Sequence, residues 1–417
     1  MHNVIHRRNN CRSCESQNLE LIFKLNPSPI GDAYIAPEHI NLPQPSYPID
    51  LYMCKSCGLA QLIDIIDPEI LYGEYIYITT SSAGLSEHFQ NYAIDVTEKC
   101  KLNPNSLVID IGSNDGTLLK NFWQKGMNVL GIEPAKHIAA KANASGIKSI
   151  DKFFTTDLAR LIVKEYGHAK LITANNVFAN IDNLSQWVNA INELLDDDGI
   201  FVFESYYLAD VIQNMVFDFI YHEHLSAFSV KPMQKLFQCH NLELAAVERV
   251  PTKGGSLRYF IQRPGGSFKN DTSVMKMLLF EENIKLYDKE TFVTFTKKIN
   301  NLKEQTKKFL IKIKNEGKSI AGFGASITCT TLIYHFEIGE YLDFLIDDNP
   351  AKQGRFSPGL HLPVLPSSAM YDRKPDYVII LAWRFSETIM NKNQAYIENG
   401  GQFIIPNPEF KICTRKL

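Results

Sequence analysis

The sequence lacks both a long apolar run and a strong excess of one charge. No apolar stretch among its 417 residues reaches the length of about 18–20 residues that a membrane helix requires. Its first residues also lack the apolar segment of a secretory signal. The formal net charge is only −3, which argues against a broad nucleic-acid-binding surface. We therefore expect a cytoplasmic protein without a membrane or nucleic-acid partner.

Cysteine is sparse as well, with eight residues, of which four are scattered and four form two close pairs. We expect the scattered cysteines to be reduced, as is usual in the cytosol. Hydrophobic residues make up 45% and charged residues 21% of the chain, which is typical of a globular protein. The length allows two or three domains, each with a full core.

The two close pairs form a doubled C-x2-C motif from Cys11, Cys14, Cys54 and Cys57. Two such pairs can place four thiolates tetrahedrally around one zinc ion. Two disulfides or a redox motif are the alternatives, and both fit a cytosolic chain less well. Because protein atoms fill all four positions, we expect a structural zinc. The proline-rich segment between the pairs suits a module that is held together by its metal.

An aromatic segment at residues 71–82 follows the second cysteine pair. Tyr75 and Tyr77 share one face of this segment if it is extended. They are either packing residues or phenols on a loop that crosses the mouth of the next domain. A helical pattern then begins at residue 83.

The central feature is an apolar strand at residues 107–111, followed by a glycine-rich turn and a helix. Such a turn lets backbone N–H groups approach a nucleotide-like ligand. The spacing is not that of the dinucleotide motif G-x-G-x-x-G. It looks instead like the first motif of methyltransferases that depend on S-adenosylmethionine (SAM). The candidate SAM-binding residues here are Asp110, Gly112, Asn114, Asp115 and Gly116.

Strands and helices alternate from about residue 84 to 250, which predicts a doubly wound, mostly parallel sheet. The expected strands are residues 107–111, 128–132, 149–150, 171–174 and 200–204. Ligands of such sheets bind beyond the carboxyl ends of the strands. The polar residues at those ends add Glu133, Asp151, Asn175 and Asn176 to the candidate SAM site. A carboxylate at Glu133 can accept hydrogen bonds from both ribose hydroxyls.

A phenol, two imidazoles and a carboxylate occur together after the fifth strand, as Tyr221, His222, Glu223 and His224. The spacing excludes the zinc-protease motif H-E-x-x-H. A metal site or a solvated turn is an alternative. Acid–base catalysis is the favoured interpretation, because histidine titrates near neutral pH.

Two cations, Lys253 and Arg258, flank a glycine turn that predicts either a phosphate contact or a plain hairpin. Residues 270–316 are rich in Lys and Glu and predict helices. A second strand–glycine-loop–helix pattern begins at residue 318, and a strand ending in Asp347 follows it. This could be an NAD site, although the third glycine is missing.

These motifs together resemble the zinc-containing sugar C-methyltransferases. The resemblance covers essentially the whole chain and is carried by the paired C-x2-C motifs, Tyr75-x-Tyr77, the Gly112–Gly116 turn, Gly-Ile-Glu133-Pro and above all Tyr221-His-Glu-His224. Members act on nucleotide-linked keto-deoxy-sugars, best known at C-3 of dTDP-4-keto sugars, in deoxysugar biosynthesis. The resemblance implies a zinc module at 1–75, a SAM domain at 76–255 and a Rossmann-like nucleotide-sugar domain at 256–417.

The resemblance also implies roles for individual residues. His224 would be the base, with Tyr75, Tyr221 and Glu223 beside it and His222 as a further candidate. Substrate would contact residues of the loops and of the last domain, namely Tyr77, Asn180, Lys253, Arg258, Ser326, Asp348, Asn349, Lys352 and Arg355. Asn180 departs from the family, in which a histidine stands at this position. A lysine common in the last glycine loop is also replaced here, by Ile327-Thr328.

The sequence therefore predicts an α/β enzyme, a monomer or small homo-oligomer, that transfers a methyl group from SAM to a carbon beside a ketone. An NAD-dependent sugar oxidoreductase is one alternative. A zinc-bearing protein that binds nucleotide sugars without catalysis is another.

Overall fold

The computed structural model describes residues 4–72, 78–79, 84–268 and 271–414. It confirms the expected α/β class with an N-terminal cysteine cluster, a central mixed sheet and a second α/β sheet at the C-terminal end. No helix within the described residues is long and apolar enough to cross a membrane.

The N-terminal part consists of short antiparallel strands and one short helix. Its elements are β1 (Ile5–Arg7), β2 (Leu19–Phe23), β3 (Leu51–Cys54), β4 (Ala60–Leu62), β5 (Asp64–Ile66) and α1 (Pro68–Tyr72). Strands β2, β3 and β4 form a sheet, and β1 pairs with β5. The turns that carry the cysteine pairs lie next to the strand ends, so the sheet brings both pairs together.

The central part alternates strands and helices as the sequence predicts. Its elements are α2 (Leu85–Lys99), β6 (Leu107–Ile111), α3 (Thr117–Trp123), β7 (Asn128–Ile132), α4 (Lys136–Ala144), β8 (Ser149–Ile150), α5 (Thr156–Tyr166), β9 (Ala169–Thr173), α6 (Leu184–Leu194), β10 (Leu195–Tyr206), α7 (Leu208–Gln213), β11 (Ser226–Ala227), α8 (Val230–Cys239), β12 (Glu243–Val250) and β13 (Ser256–Gln262).

Seven of these strands form one sheet in the order β12-β13-β10-β9-β6-β7-β8. Strands β6 to β10 are parallel, while β13 runs antiparallel to both β10 and β12. The chain order reverses between β6 and β9, which is where doubly wound sheets bind their ligands. Strand β13 belongs to this sheet, so the structure places residues 256–262 with the central part and not with the C-terminal part.

Strand β11 does not join the central sheet. Its residues Ser226 and Ala227 pair antiparallel with Gln61 and Ala60 of β4, and this extends the N-terminal sheet to the order β11-β4-β3-β2. The segment that follows His224 is therefore attached to the cysteine-bearing part of the chain.

The C-terminal part begins with two helices and continues as a second α/β unit. Its elements are α9 (Ser273–Asn283), α10 (Lys289–Asn315), β14 (Ile320–Phe323), α11 (Ile327–Phe336), β15 (Phe344–Ile346), β16 (Val364–Leu365), α12 (Ala369–Asp372), β17 (Tyr377–Ile380), α13 (Ser386–Lys392), α14 (Gln394–Glu398), β18 (Gln402–Ile405) and β19 (Lys411–Cys413). The sheet order is β16-β15-β14-β17-β18-β19, with only β19 antiparallel to its neighbour.

The three parts share one hydrophobic core. Phe23 of β2 packs against Phe295 of α10 with ring centroids 5.1 Å apart, and against His335 of α11 at 5.6 Å. Phe217, from the central part, stacks on Phe336 at 5.3 Å. The N-terminal part is thus packed against both other parts.

Candidate active site and metal centre

A cavity of about 310 Å³ lies at the carboxyl ends of β6, β7 and β9. Its polar wall includes six residues that the sequence assigned to SAM, namely Asp110, Gly112, Asn114, Glu133, Asn175 and Asn176. The ends of three parallel strands meet at one edge of the sheet, which explains why these distant residues converge.

The turn after β6 depends on Gly112. Its φ of 72° is a left-handed conformation that favours glycine, and an added Cβ would lie 2.3 Å from a methyl group of Val177. Asn114 follows with a φ of 50°, and its N–H donates to Glu133 Oε2 over 3.0 Å. The Ala135 N–H donates to the other oxygen over 2.9 Å. Glu133 therefore fixes the turn and the start of α4 while its carboxylate borders the cavity.

Both carboxylates of this wall are buried. Asp110 accepts a hydrogen bond from the Thr173 hydroxyl over 2.6 Å, and burial together with the nearby Glu133 raises the pKa of Asp110 to about 7. Burial also raises the pKa of Glu133, against the two N–H donors that favour its charged form. Further hydrogen-bond donors from a ligand would stabilise the charged carboxylate in the same way.

Among the polar atoms of the cavity wall, Asn175 Nδ2, Asn180 Oδ1 and Ser113 Oγ lack hydrogen-bond partners within the described parts of the chain. The Oδ1 of Asn175 is already fixed, because it accepts from the Glu204 N–H over 2.9 Å. A buried donor without a partner costs free energy unless a ligand or water satisfies it. The residues present therefore fit a polar ligand of the size and kind of SAM.

Three other residues of the expected cofactor set do not line the cavity. Asp115 accepts from the Thr117 N–H over 3.2 Å and so caps the start of α3. Gly116 allows the left-handed turn at the start of that helix, with a φ of 77°. Asp151 is exposed after the end of β8.

The sequence did not assign the apolar part of the cavity wall. It includes four aromatic side chains from helices and loops, Phe89, Phe153, Phe154 and Trp187. Thr79 also lines the cavity, and its N–H donates to Asn114 Oδ1 over 2.9 Å. An apolar residue in a helical pattern predicts core packing, so no sequence signal separated these residues from ordinary core.

The Tyr221–His224 segment forms a turn in which the His224 N–H donates to the Tyr221 carbonyl over 2.9 Å. The two rings stack with centroids 4.0 Å apart. His224 Nδ1 lies 2.8 Å from the Phe219 carbonyl, which can only accept, so Nδ1 carries the proton. Nε2 is then the acceptor of the hydrogen bond from the Tyr221 hydroxyl over 2.8 Å.

Burial keeps His224 neutral, because it lowers the pKa of the imidazole to about 3. The Tyr206 ring lies parallel to it at 4.6 Å and completes a ring stack. His222 points elsewhere, with Nε2 donating to the Tyr47 carbonyl over 3.2 Å, and burial lowers its pKa to about 4. Both histidines of this turn are therefore neutral with a fixed tautomer, and His224 is the one whose acceptor nitrogen is hydrogen-bonded to Tyr221.

Glu223 is buried beside the same turn. Burial, and to a smaller extent the carboxylate of Asp32, raises its pKa to about 8, against the nearby cations Lys253 and Lys352. Tyr72 borders the SAM cavity and lies within electrostatic range of both Glu223 and Tyr221. The part of the cavity wall that Tyr72 forms is therefore shared with the acid–base cluster, whereas Tyr221, His222, Glu223 and His224 do not line the cavity themselves.

Lys253 and Asn180 belong to this shared wall. Lys253 lines the cavity with a left-handed φ of 56°, an uncommon conformation for a lysine, and it forms no ion pair within 4 Å in the described parts. Burial lowers its pKa to about 8, although Glu223 favours the charged form. Asn180 lines the cavity as well.

Arg258 lies apart from this wall. Its guanidinium donates to Glu204 over 2.8 Å and to Asp95 over 2.6 Å, and it covers the Tyr92 ring at 4.3 Å. The residue is only 5% exposed, and these two carboxylates compensate its buried positive charge.

The expected substrate residues of the last domain surround the glycine loop between β14 and α11. Ser326 caps α11, and its hydroxyl accepts from the Cys329 N–H over 3.4 Å. Asn349 Oδ1 accepts from the Ala351 N–H over 3.0 Å, and the exposed Asp348 accepts from the Ser367 hydroxyl.

Lys352 and Arg355 connect this loop to the N-terminal part. Lys352 Nζ donates to Asp32 over 2.5 Å and to the Ala325 carbonyl over 2.7 Å. Arg355 donates to the Tyr34 carbonyl over 3.2 Å. Tyr75 and Tyr77 lie outside the described residues, so their places relative to this cluster are not part of the structure.

The four paired cysteines form a compact cluster. Their sulfur atoms all lie within 4.8 Å of one another, with Cys11 and Cys57 3.6 Å apart and Cys14 and Cys54 3.5 Å apart. Zn–S bonds of about 2.3 Å in a tetrahedron place sulfur atoms about 3.8 Å apart. The cluster therefore fits one zinc ion held by four thiolates, and no cysteine in the described residues forms a disulfide.

Comparison with known families assigns each part of the chain. The family model "Putative zinc binding domain" matches residues 11–72, "Methyltransferase domain" matches 85–247, and "C-methyltransferase C-terminal domain" matches 251–408. The chain is also 28% identical to C-methyltransferase NovU of Streptomyces niveus, over 99% of each chain.

Solved methyltransferase structures also resemble part of the chain. A magnesium protoporphyrin IX methyltransferase of Synechocystis with bound SAM is 14% identical, with a TM-score of 0.33, over 43% of this chain and 80% of that one. A SAM-dependent methyltransferase of Clostridium acetobutylicum is 13% identical, with a TM-score of 0.35, over 47% and 95%. Three consecutive parts of the chain are therefore similar to a zinc-binding domain, a methyltransferase domain and a C-methyltransferase C-terminal domain, and the whole chain is similar to a C-methyltransferase.

Proposed function

We propose that the enzyme methylates a nucleotide-linked 4-keto-6-deoxy sugar, with dTDP as the nucleotide and C-3 as the methylated carbon. The observation that carries the proposal is the neutral His224, fixed in one tautomer and hydrogen-bonded to Tyr221, which lies near Tyr72 of the cavity wall. A carbon next to a ketone is acidic enough for a neutral imidazole to deprotonate, whereas an isolated alkyl carbon is not.

The proposed reaction removes one proton and forms one C–C bond. His224 Nε2 receives the proton from the carbon beside the ketone, through the Tyr221 hydroxyl that now occupies its lone pair. SAM, held by Glu133 and the turn after β6, would supply the methyl group, which the electron pair left on that carbon would take as the S–C bond breaks toward sulfur. The shared wall holds the two reactants close together, which favours the reaction through proximity.

Negative charge develops on the ketone oxygen as the proton leaves. Hydrogen-bond donors placed there in advance stabilise the transition state most. Tyr72 and Lys253 line this part of the cavity, and Asn180 lies beside them. Tyr75 and Tyr77 retain their proposed roles in catalysis and sugar binding.

We further propose that the last domain orients the nucleotide diphosphate. Lys253 faces the cavity without an ion pair within 4 Å in the described parts, so its charge is available for an anionic ligand. Ser326, Asp348 and Asn349 surround the C-terminal glycine loop. Lys352 and Arg355 now contact the N-terminal part, so their proposed role is to shape this end of the site.

The alternative of an NAD-dependent oxidoreductase has less support. The Ala325 N–H, at the start of α11, already donates to Asp347 over 2.7 Å. An added Cβ at Gly31 would lie 2.7 Å from Ile327, which shows how closely the N-terminal part covers the loop. The pyrophosphate of a dinucleotide would need this same helix start.

Mass spectrometry after incubation with SAM and a panel of dTDP- and GDP-linked 4-keto-6-deoxy sugars tests the proposal. We expect one dTDP-linked member to gain one methylene in mass, and NMR of the product to place the new methyl group on C-3. A product methylated on oxygen, or methylation of no sugar nucleotide in the panel, would contradict it.

A further inference from the structure

We propose that Arg12, which lies between the two cysteines of the first zinc-binding pair, is a positioning residue for the methyl-transfer site. The inference rests on the proposed catalytic role of the Tyr221–His224 turn. According to this inference, the zinc-binding domain positions catalytic residues in addition to forming its own fold.

The side chain of Arg12 is fully buried, which is rare for an arginine. Its guanidinium donates to the carbonyl of Leu225 and, over 2.8 Å, to the carbonyl of Leu62. Leu225 directly follows His224 in the chain. Arg12 therefore reaches from the metal-binding turn to the backbone of the acid–base turn.

Strand pairing fixes the same segment. The Leu62 N–H donates to the Leu225 carbonyl over 2.9 Å, so this carbonyl accepts from both the sheet and the guanidinium. Ser226 then pairs with Gln61, whose side-chain oxygen accepts from the Arg12 N–H over 3.0 Å. The backbone that leaves the acid–base turn is thus an edge strand of the zinc-binding sheet.

Arg12 also approaches a second wall of the site. Its guanidinium lies 3.6 Å from Asp182 Oδ1, and Asp182 lines the SAM cavity. Arg8 holds the same carboxylate over 2.8 Å, so this contact does not depend on Arg12 alone. One buried cation therefore bridges the base and the cavity wall.

The position of His224 leaves little tolerance for movement at Leu225. Its imidazole must keep two hydrogen bonds of 2.8 Å and its stack on Tyr206, whose hydroxyl donates to the Ser226 carbonyl over 2.8 Å. A displacement of about 1 Å in a catalytic group can cost about 100-fold in rate. Loss of the guanidinium should hence slow the reaction more than it weakens binding.

The test compares Arg12→Met with Arg7→Met in the full-length, zinc-loaded protein. Arg7 belongs to the same domain and pairs with Asp64 over 3.1 Å, but it is mostly exposed and does not contact the turn. Zinc content, the Kd for S-adenosylhomocysteine, kcat and KM are measured with the sugar nucleotide that the panel identifies. Hydrogen–deuterium exchange of residues 221–227 is measured without substrate.

We expect Arg12→Met to keep one zinc per chain, to change Kd and KM less than threefold, to lower kcat about 10–100-fold and to speed exchange at residues 221–227. Arg7→Met should match the wild type in all of these. Arg12→Lys keeps the charge and can reach one carbonyl, so its kcat should be intermediate. If Arg12→Met does not fold, the same measurements on Arg12→Lys test whether Arg12 positions the acid–base turn.

Wild-type kcat with bound zinc in Arg12→Met would overturn the proposal, as would parallel losses of zinc, cofactor binding and turnover. The His224→Asn variant separates this outcome from a failure of the proposed function. If His224→Asn is active, the catalytic assignment fails. If it is inactive while Arg12→Met turns over normally, only the role of Arg12 fails.

Discussion

Replacing Glu133 by alanine should weaken SAM binding by about 10–100-fold. The carboxylate can accept about four hydrogen bonds, and the N–H groups of Asn114 and Ala135 take two of these positions. The remaining two face the cavity, where a ribose diol can donate. A hydrogen bond to a charged group contributes about 1.5–3 kcal/mol, and a tenfold change in affinity corresponds to about 1.4 kcal/mol. The net loss of one such hydrogen bond to the ribose gives the stated range.

Isothermal titration with S-adenosylhomocysteine measures this effect, and Asp151→Ala is the matched control. Asp151 is an exposed carboxylate after the neighbouring strand and does not line the cavity, so its removal should leave Kd unchanged. Glu133→Gln should fall between the wild type and Glu133→Ala, because the amide keeps one acceptor oxygen. The NH₂ group of the glutamine cannot accept a hydrogen bond, so either a backbone N–H or a ribose hydroxyl loses its acceptor.

The pH dependence gives a second test of the same contact. Burial raises the pKa of Glu133, so the carboxylate protonates at a higher pH than an exposed glutamate would. Wild-type affinity should therefore fall on acidification, and Glu133→Ala should lose this dependence. If Glu133→Ala weakens sugar-nucleotide binding as much as SAM binding and also lowers the melting temperature, Glu133 acts by stabilising the fold. The proposed contact with the ribose is then wrong.

Four further outcomes are expected. Cys54→Ser should lower the zinc content and the melting temperature, measured by elemental analysis and calorimetry, because all four ligands come from the chain. His224→Asn should lower turnover by about 10²–10⁴-fold, and should abolish solvent deuterium exchange beside the ketone, while SAM affinity persists. Tyr221→Phe should lower that exchange about as far, if the hydroxyl relays the proton; normal exchange would mean that His224 takes it directly. KM for the sugar nucleotide should rise above pH 8, where Lys253 loses its charge, whereas His224, with a pKa lowered to about 3, should cause no loss of rate between pH 5 and 7.

Local patterns were sufficient to predict the central sheet. Each of its first five strands carries an apolar run followed by a polar or glycine-rich turn, and the observed strands coincide with those runs to within a few residues. Gly112 was informative because the backbone there needs a positive φ and no Cβ. These signals depend only on residues that are close in sequence, so they can be recognised before the three-dimensional structure is known.

Contacts between distant parts of the chain were not predictable in this way. The sequence placed Arg258 near a glycine turn as a possible phosphate contact, yet its guanidinium is paired with Glu204 and Asp95. Lys352 was expected to contact the substrate, yet it donates to Asp32 in a loop 320 residues earlier. The partner of a charged residue cannot be predicted from the residue's own position in the sequence, because the packing of the domains determines which charges pair.

The conformation of the acid–base segment explains why its four residues do not act alike. In an extended strand, Tyr221 and Glu223 would share one face while His224 pointed to the other. The observed turn instead closes Tyr221 onto His224, three residues on, and makes the phenol the donor to the imidazole lone pair. A proton from the sugar can then reach the imidazole only by displacing the phenol or by passing through it. Since Arg12 and the zinc-binding sheet anchor the backbone that leaves this turn, displacement of the whole segment would break several hydrogen bonds. Transfer through the hydroxyl requires only that the phenol proton shift to Nε2 along the existing hydrogen bond while the phenol oxygen takes the proton from the broken C–H bond, and it is the route that this packing favours.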